Sequence, residues 1–192
     1  VDSNVSVNDL LLGDKNAVIL AARISGYGEQ YNVNVTCPNC EASIEHEFDL
    51  SEIPHQHGTI PEDDNENVYL TPEGTFVAKL PKSQFSVEFK LLTGQDEDYL
   101  EKVALKTKKL KLPEASATNL LKRLVVSVND VTVTSEINNF IDNMPAQDAR
   151  FLRACVTTVT PNVDMTQEVE CASCGTISEM AVPFTSDFFL PN

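Results

Sequence analysis

The sequence predicts an α+β fold, and three observations carry that prediction. Two C-x-x-C knuckles, Cys37-Pro38-Asn39-Cys40 and Cys171-Ala172-Ser173-Cys174, each follow a short run of alternating polar and apolar residues. Residues 68–92 alternate with period two between turn-forming triplets, as a β-hairpin or meander does. The remaining apolar residues recur at helical spacing in about four helices. Together these give a zinc-ribbon-like subdomain formed by two distant C-x-x-C knuckles, a hairpin or meander, and the helices. We expect one domain over residues 1–192. The ribbon comes from residues 29–50 and 164–183, and residues 51–163 are a helical and β insertion.

The knuckles are read first. Val33-Asn34-Val35-Thr36 leads into one and Glu168-Val169-Glu170 into the other. A strand ending in such a turn is half of a zinc ribbon. The spacing lets two thiolates and nearby amides face one ion, and two halves complete a tetrahedral four-sulfur site. Cys37, Cys40, Cys171 and Cys174 are therefore the candidate ligands of one structural Zn²⁺. Four protein sulfurs leave no coordination position for water or substrate, so such an ion is a staple rather than a catalyst. A redox dithiol at one pair, or four buried thiols, are the alternatives. A redox C-x-x-C opens a helix in a βαβ unit, whereas strand-like patterns follow both pairs here. About 130 residues separate Cys40 from Cys171. Closing a loop of that size is worth roughly 4–5 kcal/mol on the chain-entropy account, and a structural metal on the order of 10 kcal/mol.

Composition narrows the functions. With 42% apolar residues in 192, the chain can bury a sizeable core. A net charge of −15 opposes phosphate binding, which needs clustered Lys and Arg, so no nucleic-acid partner is expected. The acidity points to a protein partner instead, a basic one among the options. No apolar run approaches the roughly 18 residues of a membrane helix, so no membrane is expected. Five cysteines in this spacing suit a reducing compartment and a metal better than a disulfide framework.

Along the chain, residues 5–28 read as helix. Asp14 is the expected cap of residues 15–25, Val18, Ile19, Ala22 and Ile24 the apolar side, and Gly26 and Gly28 the stop. Residues 50–67 are acidic and aperiodic, an expected exposed loop. His55 and His57 lie there without a second motif, and His46 reads as a solvent-facing strand residue. Phe85, Val87, Phe89 and Leu91 should share one core face. Thr93 should cap a helix whose first turn carries Asp96, Glu97 and Asp98 and whose end carries lysines, as the macrodipole favours. Its buried stripe should be Tyr99, Leu100, Val103, Thr107 and Leu110. Residues 117–125 form a further helix with Leu120, Leu121 and Leu124 inward. Residues 126–133 read as a tight hairpin around Asn129-Asp130. A short helix runs to Ile141, and the last helix covers residues 146–159 with Pro145 in its first turn. Cys155 belongs to that helix's apolar face, not to a site. In the tail, Phe184, Phe188, Phe189, Leu190 and Pro191 make an apolar cluster. It either tucks into its own fold or docks on a partner, and they are the candidate partner-binding residues.

Several segments in fixed order resemble a known family. They are Leu12-Gly13-Asp14, Arg23-Ile24-Ser25-Gly26-Tyr27-Gly28, Tyr31, the first knuckle and Asp49-Leu50. Phe89 to Glu97, Ile141-Asp142-Asn143-Met144-Pro145-Ala146-Gln147-Asp148, Leu152, Pro161 and Asp164 follow. The second knuckle with Gly175 and the Phe188-Phe189-Leu190-Pro191 end complete the set. This pattern is similar to the baseplate hub assembly chaperone family of contractile-tailed bacteriophages, also described as a phage base plate protein family. The resemblance spans nearly the whole chain. It implies a role in assembling the central hub below the tail tube, as assembly chaperone or hub component. The implied partners are phage baseplate hub and tail proteins, the implied place is the infected bacterial cytoplasm, and retention in the virion baseplate is left open. It implies no catalysis and no small-molecule substrate. Members usually carry more residues before the first helix. Two other functions are weighed against this one. A small thiol- or zinc-dependent oxidoreductase would need one C-x-x-C pair free of metal. A nucleic-acid-binding zinc ribbon is opposed by the charge.

Overall fold

The computed structural model describes residues 6–59, 68–109 and 116–189. Helix and sheet are mixed, with six α-helices among the described residues. The chain divides into two compact units, and each is discontinuous. Unit 1 holds residues 1–15 and 57–161, and unit 2 holds residues 16–56 and 162–192.

Unit 1 is built on a four-stranded antiparallel sheet. Its strands, in the order in which they pair, are β4 (Val68–Leu70), β5 (Phe76–Lys79), β6 (Ser86–Phe89) and β7 (Val125–Val128). The expected meander supplies the first three. Thr71 and Thr75 close its first turn with a 2.7 Å hydroxyl contact. Helices α2 (Gly94–Lys109), α3 (Ser116–Leu124), α4 (Thr134–Asp142) and α5 (Ala146–Val159) complete the unit. Val87, Phe89, Leu124, Ile137, Ile141, Leu152 and Cys155 share one buried cluster. The Cys155 thiol sits there as a small hydrophobe, its pKa pushed up to about 11 by burial.

Three carboxylates organise this unit, two of them buried and Glu88 half-buried. Asp148, fully buried on the first turn of α5, accepts the amides of Lys82 at 2.7 Å and Ser83 at 2.9 Å. It thereby fixes the Pro81-Lys82-Ser83 turn. Asp96 forms a capping pair with Thr93, accepting the Thr93 amide at 3.1 Å. The same carboxylate takes Lys90 Nζ at 2.7 Å and Arg123 Nε at 2.5 Å. Burial alone would raise its pKa, but Lys90, the Thr93 amide and Arg123 outweigh it and hold the carboxyl below the usual range. Glu88 accepts the Thr75 and Ser127 hydroxyls at 2.6 and 2.9 Å across the sheet.

Several expectations are corrected here. The Asn129-Asp130 turn forms, both residues at positive φ, but Val131 makes only an isolated bridge to Val128. Val125–Val128 pairs instead with β6 as the fourth strand of the sheet, because burial against α4 rewards that register. Tyr99 is exposed and lies under Arg123, 4.9 Å from ring centre to guanidinium carbon. Leu100, Val103 and Thr107 are only half-buried, and Leu100 lines an open groove with Leu12, Leu92 and Leu120. Leu110, the last member of that expected stripe, lies outside the described residues. Phe85 leaves the core face and stacks on Phe140 at 5.4 Å.

Unit 2 is assembled from antiparallel pairs. β1 (Gln30–Thr36) pairs with β2 (Ser43–Asp49), and β9 (Thr166–Glu170) pairs with β10 (Ile177–Ala181). A short pair, β3 (His55–Gln56) with β8 (Asn162–Val163), joins the two stretches of sequence. The expected loop therefore starts as structure: Leu50 and Ile53 are core residues, and residues 60–67 lie outside the described set. His46 is half-buried rather than solvent-facing, its ring edge-on to Phe48 at 4.6 Å.

The first helix, α1 (Leu12–Tyr27), follows a 3-10 turn at Val7–Asp9, and Asp14 stands inside its first turn rather than at the cap. Its buried face is also phased differently from the expectation. Val18 and Ala22 are exposed, while Leu20 and Arg23 are buried. Arg23 donates to the Gly28 carbonyl at 2.8 Å and the Gln30 carbonyl at 3.0 Å. Its guanidinium carbon lies 5.4–5.7 Å from the ring centres of Tyr27, Tyr31 and Phe188. Cation–π contact and two carbonyls thus stand in for a carboxylate. After the expected last helix comes one more turn, α6 (Ser186–Phe189).

Candidate metal centre

Each knuckle grows from its hairpin by the same hydrogen bonds. The Cys37 amide donates to the Ala42 carbonyl at 2.9 Å and the Glu41 amide to the Cys37 carbonyl at 3.0 Å. In the second hairpin the Cys171 amide donates to Thr176 at 2.9 Å and the Gly175 amide to Cys171 at 2.7 Å. Both turns place the residue after the second cysteine in the left-handed region, Glu41 at φ 59° and Gly175 at φ 69°. The two halves are therefore equivalent in backbone as well as in spacing.

The hairpins bring their thiols together. Cys37 Sγ lies 3.9 Å from Cys174 Sγ, and Cys40 Sγ lies 3.7 Å from Cys171 Sγ. All four sulfurs fall within 4.8 Å of one another. A tetrahedron with arms of ~2.3 Å has edges of about 3.8 Å, so these separations fit a four-sulfur zinc site. Cys37 and Cys171 are buried, while Cys40 and Cys174 reach the surface. Asn39 spans the halves, its amide 3.7 Å from Cys174 Sγ and 3.1 Å from Thr176 Oγ1.

The thiols differ in acidity. The amides of Cys40 and Asn39 hold Cys37 below the ordinary thiol range. The Thr176 hydroxyl and amide, with Asn39, draw Cys174 down to about 6. The Ala42 amide favours the Cys40 thiolate, but the Cys174 thiol, lost solvation, Cys171 and Cys37 push it up to about 12. Crowded sulfurs resist ionising together, and a divalent cation relieves that conflict. Neither pair opens a helix; both stand in hairpin turns. Among the described residues no other cluster of three or more His, Cys, Asp or Glu has metal-holding geometry.

The tail residues separate. Phe188 is fully buried, edge-on to Tyr31 at 5.1 Å, and Tyr31 Oη contacts the Pro183 carbonyl and Thr185 Oγ1. Phe184 and Phe189 keep 50% and 45% of their surface exposed. Leu190 and Pro191 lie outside the described residues. Sequence reasoning missed Arg23, Asp96 and Asp148 as buried anchors. Each falls inside a segment of the quoted family pattern, which was the available signal.

These features define a class: a two-unit α+β protein whose discontinuous smaller unit closes on a four-cysteine cluster. The chain belongs to the family described as T4 bacteriophage base plate protein, which matches residues 1–190. No curated protein and no solved structure matches it. Membership gives it a structural role in the phage tail baseplate, with other baseplate proteins around it. Among the described residues no helix is long and apolar enough to cross a membrane.

Proposed function

We propose that the chain acts without catalysis in assembly of the baseplate central hub, as assembly chaperone or hub component, and that a structural zinc at Cys37, Cys40, Cys171 and Cys174 holds its smaller unit. The observation that carries this reading is the convergence of four thiols, from the two ends of a discontinuous unit, in a chain of the baseplate family. When bound, the ion supplies a cross-link and no open coordination position. This chain's own residues do the rest. The two left-handed turns aim the sulfurs, Asn39 joins the halves, and Arg23 with Tyr31 seats the last turn of the chain. The surfaces so fixed meet hub and tail proteins, and the exposed rings of Phe184 and Phe189 are the candidate contacts.

Two measurements test this. Metal analysis with thiol titration should find one zinc per chain and four protected thiols; reactive thiols at one pair would favour the oxidoreductase. Mass spectrometry should find the chain in purified hub assembly intermediates. Its absence from hub intermediates and virions alike would overturn the hub role.

A further inference from the structure

Charge is divided unevenly between the two units. Unit 2 holds eleven Asp and Glu against one Arg and no Lys, which makes −10 of the chain's −15. That single cation is Arg23, buried among carbonyls and rings. The unit's surface therefore presents carboxylates without an opposing Lys or Arg of its own. On the outward face of β1–β2, Asn34 stands opposite Glu45 and Asn32 opposite Glu47, all four exposed. On β9–β10, Glu168 stands opposite Glu179, a like-charge pair that this register makes unfavourable.

Shape adds to charge. A recess of about 290 Å³ beside β1 is lined by Asn32, Val33, Asn34, Glu45, Thr185 and Asp187. Every lining side chain but Val33 offers an oxygen acceptor. Phe184 adjoins it in the chain, and the half-exposed Phe184 and Phe189 pack edge-on against Phe188 at 4.9 and 5.0 Å. Acceptors beside exposed rings are what a guanidinium uses, since it donates in a fork to carboxylates and stacks on aromatic faces.

We propose that this face of unit 2 docks an arginine-bearing segment of another baseplate protein, with one guanidinium entering the recess at Glu45 and its neighbours lying across Phe184 and Phe189. The class of partner rests on the baseplate reading above. A second copy of the chain and a nucleic acid are both repelled by so anionic a face.

The probe is a short peptide of alternating Arg and Gly, titrated into the full-length protein and followed by amide NMR. Peptides of Lys-Gly and Glu-Gly serve as comparisons. Shifts should concentrate at residues 32–34, 45 and 184–189 and saturate. Glu45→Gln with Glu47→Gln should weaken binding about tenfold, and Phe184→Ala about threefold. Melting curves of these surface variants check that the fold is intact. Shifts spread evenly over the carboxylates of both units, variants that bind like wild type, or equal binding of the Lys peptide would each overturn the proposal. Detection in hub intermediates and virions is independent of this titration. Absence from both would sink the hub reading alone, and a failed titration would sink the docking face alone.

Discussion

Unit 1 and unit 2 bury comparable sets of apolar residues but hold them differently. Unit 1 lays helices on a four-stranded sheet, and its cluster runs through Phe76, Phe89, Leu124, Ile141 and Leu152. Unit 2 has no sheet wider than two strands among the described residues. Isolated two-stranded hairpins are marginal in water. The small unit also joins two stretches of sequence with 105 residues, 57–161, between them. It pairs a costly closure with thin layers, and the sulfur cluster sits where those stretches must stay together. One unit is held by its core, and the other adds to its core four thiols placed where a metal could clamp it.

The largest test removes the clamp. Cys37→Ser or Cys174→Ser, or exhaustive chelation, should cost unit 2 stability on the order of 10 kcal/mol. That is comparable with the whole stability of an ordinary domain, about 5–15 kcal/mol. Hydrogen exchange should then lose protection at residues 30–49 and 166–181 while residues 76–89 and 146–159 keep theirs. A variant with wild-type melting and full protection in both hairpins would break the comparison. The converse change is Phe89→Ala, which should cost unit 1 about 3–5 kcal/mol through lost burial and the cavity left behind. Unit 2 should hold its metal through that unfolding, as read by a thiol reagent.

A smaller effect separates the units by pH. Asp96 is 1% exposed, and its Lys90, Thr93 and Arg123 partners hold its folded pKa below the unfolded value of about 3.9. A depressed carboxyl stabilises the fold fully above the unfolded pKa, and that contribution disappears as pH falls through the folded value. Asp96→Asn should therefore cost about 1.5–3 kcal/mol near neutrality, the loss of charge-assisted hydrogen bonds, with the part-exposed Lys90 and Arg123 left to water. The gap between variant and wild type should close in acid. An equal gap at pH 3 and pH 7 in denaturant melts would show that the ion triad is not the source.

The site was more legible in the sequence than the packing around it. Paired knuckles fix a local geometry by spacing alone, so Cys37, Cys40, Cys171 and Cys174 could be read together across the intervening residues. Period-two runs gave β4, β5 and β6 for the same reason. Helix phase was harder. In α1 the apolar residues cover most of the circumference, and the buried face was decided by Arg23 reaching the Gly28 and Gln30 carbonyls, a tertiary fact. Val126–Val128 read as half of a hairpin, and Val125 as helix, because Asn129-Asp130 is a good turn, yet the partner strand lies 39 residues earlier, Glu88 opposite Ser127. Asp96 read as a charge in the first turn of its helix, and Asp148 appeared only within the family pattern. Their burial depends on Arg123 and on the Lys82 and Ser83 amides, which no local pattern announces.

The smallest prediction compares the two knuckles with each other. Glu41 and Gly175 occupy the same turn position at φ 59° and 69°. A side chain there costs roughly 1–2 kcal/mol of steric strain, and glycine gives back part of any gain through a looser unfolded chain. Glu41→Gly should thus stabilise unit 2 by about 0.5 kcal/mol, and Gly175→Ala should destabilise it by about 1 kcal/mol. Glu41→Gln changes the charge without the backbone effect and should reproduce none of the gain. If Glu41→Gln matches Glu41→Gly in chemical melts of the zinc-loaded protein, repulsion among carboxylates, not backbone conformation, distinguishes the two turns. If the two differ as expected, the first knuckle holds a strained residue where the second holds a relaxed one, and the halves match in geometry but not in cost.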